Sequence, residues 1–229
     1  MLEGRRLVED ALAAGAHLIG VIAADDNEPA ATLAKRAAAE GIQVEQVSEK
    51  VLAELADTDH PSGILAVAEW EPREVTRLEP PADDAIVLVL DAIQDPGNVG
   101  TMLRTALALG AWGVIALDGT ADVRSPKVLR AAMGAHFRMP IAEGSLADAA
   151  AWLARHQVSV LVSDADARER PSRGTPRVAL VVGNEGQGVR EEWSRYEARR
   201  VGIPMAQGAE SLNAAMAAGI MLYELLRAP

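Results

Sequence analysis

Three stretches of this 229-residue chain hold residue types that could do chemistry. The first follows an apolar run and reads Asp91-Ala-Ile-Gln-Asp95-Pro96-Gly97-Asn98-Val-Gly100-Thr-Met-Leu-Arg104. Its amide and guanidinium, Asn98 and Arg104, share a helical face only if Asn98 precedes the helix, as the Asp-Pro-Gly turn before it suggests. Arg104 then falls in the second turn, in reach of the strand end. On these residues alone the stretch can equally be a turn and a helix with one exposed arginine. The second stretch is Val178-Ala-Leu-Val-Val182-Gly183-Asn184-Glu185-Gly186-Gln187-Gly188. Its glycines imply either a close backbone approach to a ligand or tight turns at positive φ. Their order is G-x-x-G-x-G, not the dinucleotide G-x-G-x-x-G, and no Gly-Lys-Ser/Thr follows. Glu185 is a poor neighbour for a phosphate and suits a sugar hydroxyl or a cationic ligand. The third stretch is Ile203-Pro204-Met205, then Ser211-Leu212-Asn213 ahead of a helix rich in small residues. Ser211 is the expected N-cap of that helix, and its small-residue face suits close packing or a tight interface.

The surrounding pattern must position these loops. Unbroken apolar runs at 85–90, 113–117, 158–162 and 178–182 read as strands buried on both faces of a parallel sheet. Helical stretches separate them at 99–109, 127–133 and 145–156, and a last helix is expected from about Ser211 to Leu226. Residues 1–70 hold a smaller α/β pattern, with helices at 4–14 and 29–40 and strands at 17–23, 42–47 and 64–70. Between them, residues 71–84 carry Pro72, Pro80 and Pro81 and little apolar pattern, which reads as a linker. In open parallel sheets ligands collect at the carboxyl ends of the strands, where all three stretches fall.

Composition excludes several classes. There is no cysteine, so thiolate metal sites, disulfides and cysteine nucleophiles are absent. No apolar run approaches the length of a membrane span, and no secretory signal pattern opens the chain, so a cytoplasmic, metal-independent protein is expected. The net charge of −11 argues against a polyanion partner at first sight. Residues 1–84, however, carry 7 Lys+Arg against 18 Asp+Glu, whereas residues 85–229 carry 15 of each. The later part also clusters its cations, at Arg124, Lys127, Arg130 and Arg138, at Arg168–Arg177 and at Arg195–Arg200. Each cluster reads either as solvated surface or as a phosphate contact.

Taken together and in this order, the three stretches resemble the three motifs of the SpoU (TrmH-like) branch of the SPOUT methyltransferases. Asn98-x-Gly100-x-x-x-Arg104 is similar to the first, Gly183-x-Glu185-Gly186-x-Gly188 to the second, and Ile203-Pro204-Met205 with Ser211-Leu212-Asn213 to the third. The resemblance implies an α/β-knot domain over 85–229, its C-terminal segment threaded as a trefoil knot, preceded over 1–70 by a small ribosomal-protein-like α/β domain. Glu3-Gly4-Arg5-Arg6-Leu7-Val8 looks like the interior of that domain, which is therefore expected to be short or trimmed here.

The resemblance further implies S-adenosyl-L-methionine as cofactor, bound bent by Val182, Gly183, Gly188, Ile203, Met205, Ser211 and Leu212, largely through backbone groups. The implied reaction is methylation of an RNA ribose 2'-hydroxyl by a homodimer, with ribosomal RNA favoured over transfer RNA. Arg104 is the implied catalytic group; Asn98, Glu185 and Asn213 orient it and the ribose. An arginine whose pKa exceeds about 12 is an awkward base, and stabilising a developing alkoxide suits it better. Arg130, with Lys127 and Arg138, is the implied RNA contact, in a segment that lacks the serine many members carry near Ala132 and Met133. Two other readings stay open on residues alone: an RNA-binding module without catalysis, motivated by the acidic first third, and a nucleotide-dependent enzyme using the Gly183 loop.

Overall fold

The computed structural model describes residues 1–81, 83–206 and 211–227. The chain divides into two compact units, Met1–Glu71 with Arg124–Arg138 and Pro72–Val123 with Met139–Pro229.

In the first unit, β1 (Leu2–Glu3), α1 (Arg5–Ala13), β2 (Leu18–Ala24), α2 (Glu28–Ala39), β3 (Gln43–Val47), α3 (Glu49–Leu55) and β4 (Ile64–Ala68) follow one another. They form a four-stranded sheet of order β1-β4-β2-β3, with only β2 and β3 parallel. Local signals set the helices. Asn27 caps α2 by accepting from the Ala30 N–H at 3.1 Å, with Pro29 in the first turn, and Ser48 caps α3. The core joins Leu7, Val8, Leu12, Val21, Leu33 and Ile64.

The second unit holds β5 (Arg73–Glu74), β6 (Ala85–Asp91), α4 (Pro96–Leu109) and β7 (Gly113–Leu117). The chain then lends the first unit α5 (Pro126–Ala132), whose Leu129 joins that unit's core. It returns with β8 (Ile141–Gly144), α6 (Leu146–Arg155), β9 (Ser159–Ser163), β10 (Arg177–Gly183), β11 (Ala198–Val201) and α7 (Ala214–Arg227). All seven strands pair in parallel, in the order β11-β9-β10-β6-β7-β8-β5.

The four apolar runs are four of the five interior strands, β6, β7, β9 and β10. β6 is buried along its whole length, and burying each of its larger side chains stabilises the unit by about 1.5–3 kcal/mol. The edge strands β5 and β11 expose polar side chains, Arg73, Glu74, Arg199 and Arg200, and leave no apolar run to read. Residues 73–78 accordingly differ from the expected linker. β5 pairs with β8, and Val75 and Leu78 are each only 1% exposed. Trp152 Nε1 donates to the Leu78 carbonyl at 2.9 Å. Two apolar residues on a single 3-10 turn are too few to register as a periodic pattern.

Sheet order locates the crevice. From β6 the chain runs outward to β7 and β8, then crosses over and inserts β10 between β6 and β9. The connections leaving β6 and β10 therefore diverge, and a switch point opens at their carboxyl ends. Asp91 and Gly183, the last residues of the two strands, are register partners there. The trefoil knot implied by the resemblance depends on the chain path between β11 and α7, and residues 207–210 of it lie outside the described residues.

Candidate active site

The loop after β6 turns into α4 three residues earlier than its sequence suggests. Asp95 is the N-cap, with its Oδ1 accepting from the Asn98 N–H at 2.9 Å, and Pro96 is in the first turn. Asn98 thus lies inside the first turn, not before the helix, and Arg104 falls in the third turn instead of the second. Aspartate and asparagine cap about equally well, but Pro96 suits the first helical position, so Asp95 before it takes the place that turn context assigned to Asn98. Arg104 is exposed, and among the described residues it has no hydrogen-bond or ion-pair partner.

The last helix is capped differently too. α7 starts at Ala214, and its cap is Asn213 instead of Ser211: Asn213 Oδ1 accepts from the Ala215 and Met216 N–H groups at 3.0 and 3.2 Å. That cap leaves Asn213 Nδ2 free to donate, and it does so to Asn98 Oδ1 at 3.0 Å. The acceptance fixes Asn98 in turn, whose Nδ2 donates to Glu185 Oε1 at 2.9 Å. A helix cap thereby orients a three-residue relay that ends on a carboxylate. Replacing Asn213 by alanine is expected to destabilise the second unit by about 1 kcal/mol, the usual loss of an N-cap. Urea unfolding checks the figure, and an unchanged midpoint would exclude the capping role.

Burial alone would raise the Glu185 pKa. The Asn98 amide and the backbone N–H groups of Glu185, Gln94 and Asp95 outweigh it and hold the carboxyl below its ordinary value. A depressed carboxylate stabilises the fold above its unfolded-state pKa and loses that contribution as pH falls through the folded value. The relay is therefore expected to persist at neutral and mildly acidic pH and to fail only below about pH 4.5, the ordinary value. NMR titration of the Asn98 side-chain amide reads this directly; a midpoint above that value would contradict it.

The Gly183–Gly188 loop is built by its own side chain. Asn184 Oδ1 accepts from the Gly186 and Gln187 N–H groups at 2.9 and 3.0 Å, and its Nδ2 donates to the Ala92 carbonyl at 3.0 Å. The chain then folds back so tightly that a Cβ on Gly183 would stand 2.2 Å from the Gly188 carbonyl carbon and the Val189 nitrogen. Only glycine fits, and Gly188, at φ 72°, closes the turn. Below the loop lies Asp91, which sequence reasoning did not single out. It is completely buried and accepts from the Arg190 N–H at 2.9 Å, from Arg190 Nε, and from Trp193 Nε1 at 3.0 Å. A carboxylate closing an otherwise apolar strand was the signal that could have found it.

A cavity of about 480 Å³ opens at these strand ends. Val182, Gly183, Gly188, Ile203, Met205, Ser211 and Leu212 all line it, together with Glu185. Residues spread over 30 positions of sequence are thus brought to one wall. Ser163, Asp164 and Arg200 also line it and were not anticipated. Arg200 pairs with Asp164 at 2.8 Å and, with the Asp166 N–H, holds that carboxyl below its ordinary pKa. A larger surface cavity of about 800 Å³ beside Trp193 and Tyr196 contains none of the candidate residues, so size does not mark the site.

The three expected RNA contacts, Lys127, Arg130 and Arg138, belong to the first unit and are not among the residues that line this cavity. Lys127 and Arg138 are exposed. Arg130 already faces carboxylates, Glu3 at 3.7 Å and Asp57 at 3.9 Å. Glu3 is itself buried and holds the Asp57 and Thr58 N–H groups. Several other clustered arginines are similarly engaged, Arg173 with Asp84 and Arg199 with Glu169.

A cavity at a switch point, walled by glycine backbone, apolar side chains and the charged Asp164, Glu185 and Arg200, defines an α/β protein with a ligand site at its strand ends. Residues 85–223 match the SpoU rRNA Methylase family, and residues 1–72 match the RNA 2'-O ribose methyltransferase substrate binding family. The chain is 35% identical to the 23S rRNA (guanosine(2553)-2'-O)-methyltransferase RlmP of Bacillus subtilis, over 98% of this chain and 87% of that protein. Among solved structures, the AdoMet-bound rRNA methyltransferase from Sinorhizobium meliloti is 32% identical, covers 97% of this chain and 84% of its own, and superposes with a TM-score of 0.80. The SpoU methyltransferase AviRb from Streptomyces viridochromogenes, in complex with AdoMet, is 27% identical over 99% of this chain and 88% of its own, with a TM-score of 0.85. The chain belongs to the SpoU rRNA methylase family.

Proposed function

We propose that this protein transfers a methyl group from S-adenosylmethionine to a ribose 2'-hydroxyl of RNA, with ribosomal RNA as the substrate. One observation carries the reading: the Asn213–Asn98–Glu185 relay ends on a carboxylate in the wall of the cavity that all seven cofactor candidates line. The cavity suits the cofactor chemically. Val182, Gly183 and Gly188 bring backbone groups to its wall, against which a flat base can lie. Ile203, Met205 and Leu212 offer apolar contact, and Glu185 faces a cationic ligand without a phosphate to repel.

When bound, S-adenosylmethionine supplies an electrophilic methyl on its sulfonium. The chain's own residues must place and prepare the ribose. Glu185 is ionised at neutral pH, and its Oε2 takes a long contact, 3.5 Å, from the Gln94 N–H, so it can still accept from a ribose hydroxyl. Asn98 and Asn213 hold that carboxylate in place. Arg104, unpaired among the described residues, offers a permanent positive charge to the developing 2'-oxyanion.

The first unit holds the RNA in this reading, and Lys127 and Arg138 supply its exposed cations. The segment Arg124–Arg138 adds four cations and no carboxylate to an otherwise acidic unit. A homodimer completes the site in this reading. The small residues of α7 are used internally, with Ala215 and Ala218 buried and a Cβ on Gly219 only 3.3 Å from Thr105 Cγ2 of α4. The outward face instead carries Met216, Ile220 and Tyr223, exposed by 60, 40 and 47%, and this apolar face suits a second copy. A cytoplasmic location accompanies the ribosomal substrate, and among the described residues no helix is long and apolar enough to cross a membrane. Incubation with methyl-labelled S-adenosylmethionine and separate ribosomal and transfer RNA tests the activity. Ribose methylation of ribosomal RNA is expected; label on transfer RNA alone would overturn the substrate, and label on neither would overturn the reaction.

A further inference from the structure

The cavity wall holds a charged feature that the relay does not use. Among its described lining residues three carry charge: Asp164, Glu185 and Arg200. Glu185 is engaged by Asn98. Asp164 and Arg200 face one another from the loop after β9 and from β11. Successive side chains of a strand point to opposite faces, which explains the choice of arginine. Arg199 turns to Glu169 and the Ser172 carbonyl, while Arg200 reaches the cavity.

The pair is not what holds this wall together. The Asp164 N–H donates to the Val201 carbonyl at 2.9 Å, and the Gly202 N–H to the Glu169 carbonyl at 2.8 Å. The approach is close enough that a Cβ on Gly202 would stand 2.2 Å from the Ala167 carbonyl oxygen. Backbone contacts thus fix the loop against β11. Arg200 is 60% exposed, and an ion pair that open to water adds little stability. A carboxylate and a guanidinium side by side in a ligand cavity are, however, complementary to a zwitterion. Each can exchange its partner for the opposite charge of an α-amino acid group without leaving any charge unpaired.

We propose that Asp164 and Arg200 recognise the amino-acid end of the cofactor, Asp164 accepting from its α-ammonium and Arg200 donating to its α-carboxylate. The inference rests on the S-adenosylmethionine reading above. It leaves the nucleoside to the apolar and backbone wall. It also adds two specificity residues that lie outside the three motif stretches.

Calorimetric titration of the full chain with S-adenosylhomocysteine and with 5'-methylthioadenosine, which lacks the amino-acid end, tests it. The unsubstituted protein is expected to bind S-adenosylhomocysteine at least about tenfold more tightly, as one charge-assisted contact commonly gives. Asp164→Asn and Arg200→Gln are each expected to lose about that factor for S-adenosylhomocysteine and to bind 5'-methylthioadenosine unchanged. Equal binding of the two ligands by the unsubstituted protein would overturn the assignment without any variant. So would a parallel loss for both ligands in the variants, which would make the pair a support of the wall, or no loss at all. Binding of neither ligand by the unsubstituted protein would instead overturn the cofactor reading itself.

Discussion

Arg104→Ala is expected to lower methyl transfer by roughly 10²–10³-fold, the usual consequence of removing one group that stabilises a developing oxyanion. S-adenosylhomocysteine affinity should stay the same, because Arg104 does not line the cavity. Stability should also stay within about 0.5 kcal/mol, since the side chain is exposed and unpaired among the described residues. The separation of the three readouts is what makes the variant informative. Loss of cofactor binding together with activity would make Arg104 a structural residue, and retained activity would remove it from the mechanism. Arg104→Lys separates charge from shape. A lysine keeps the positive charge without the planar fork, so partial activity is expected if electrostatic stabilisation is the role.

Asp91→Ala is expected to cost the second unit about 3 kcal/mol. Removing one member of a buried pair commonly costs about 3–5 kcal/mol, because the remaining group is left unsatisfied. The lower end applies here because the Arg190 side chain is 32% exposed and can recover some hydration. Trp193 Nε1 cannot, since Trp193 is 2% exposed. The midpoint of thermal unfolding should fall by roughly 6–12 °C for a unit of this size. Asp91→Asn should be milder, because an amide oxygen can still accept one of the three donors. A midpoint unchanged in Asp91→Ala would show that the Arg190 and Trp193 donors find other partners. The effect should extend to the site, since Arg190 follows directly on the Gly183–Gly188 loop and Asp91 is in register with Gly183.

These two residues differ in how they could be read. Arg104 stands in a motif whose spacing is local. Asp91 draws its importance from a contact 99 positions away. The same division runs through the molecule. Unbroken apolar runs announced β6, β7, β9 and β10, because a strand buried on both faces has no room for a polar residue. The edge strands β5 and β11 gave no such signal, and a segment read as linker joined the sheet through Val75 and Leu78. Helix existence was legible at α4 and α7, whereas their caps were not. Asp95 and Asn213 took the roles expected near Asn98 and at Ser211, and the outcome depended on which side chain reached the free N–H groups.

By itself, then, the amino-acid order determined the α/β class, the central strands, and three loops whose ordered motifs matched one family. The seven cofactor candidates that the family resemblance implied all line the cavity. What the tertiary structure alone decided is how those loops meet. Insertion of β10 beside β6 puts Gly183 opposite Asp91, and the relay joins Asn98 to Glu185 across 87 positions and to Asn213 across 115. It also decided that Arg124–Arg138 belongs to the first unit and that Asp164 and Arg200 share the cavity wall. Periodicity and capping act over a few residues and leave a local trace. Contacts between distant strand ends are set by sheet order, which no local pattern records.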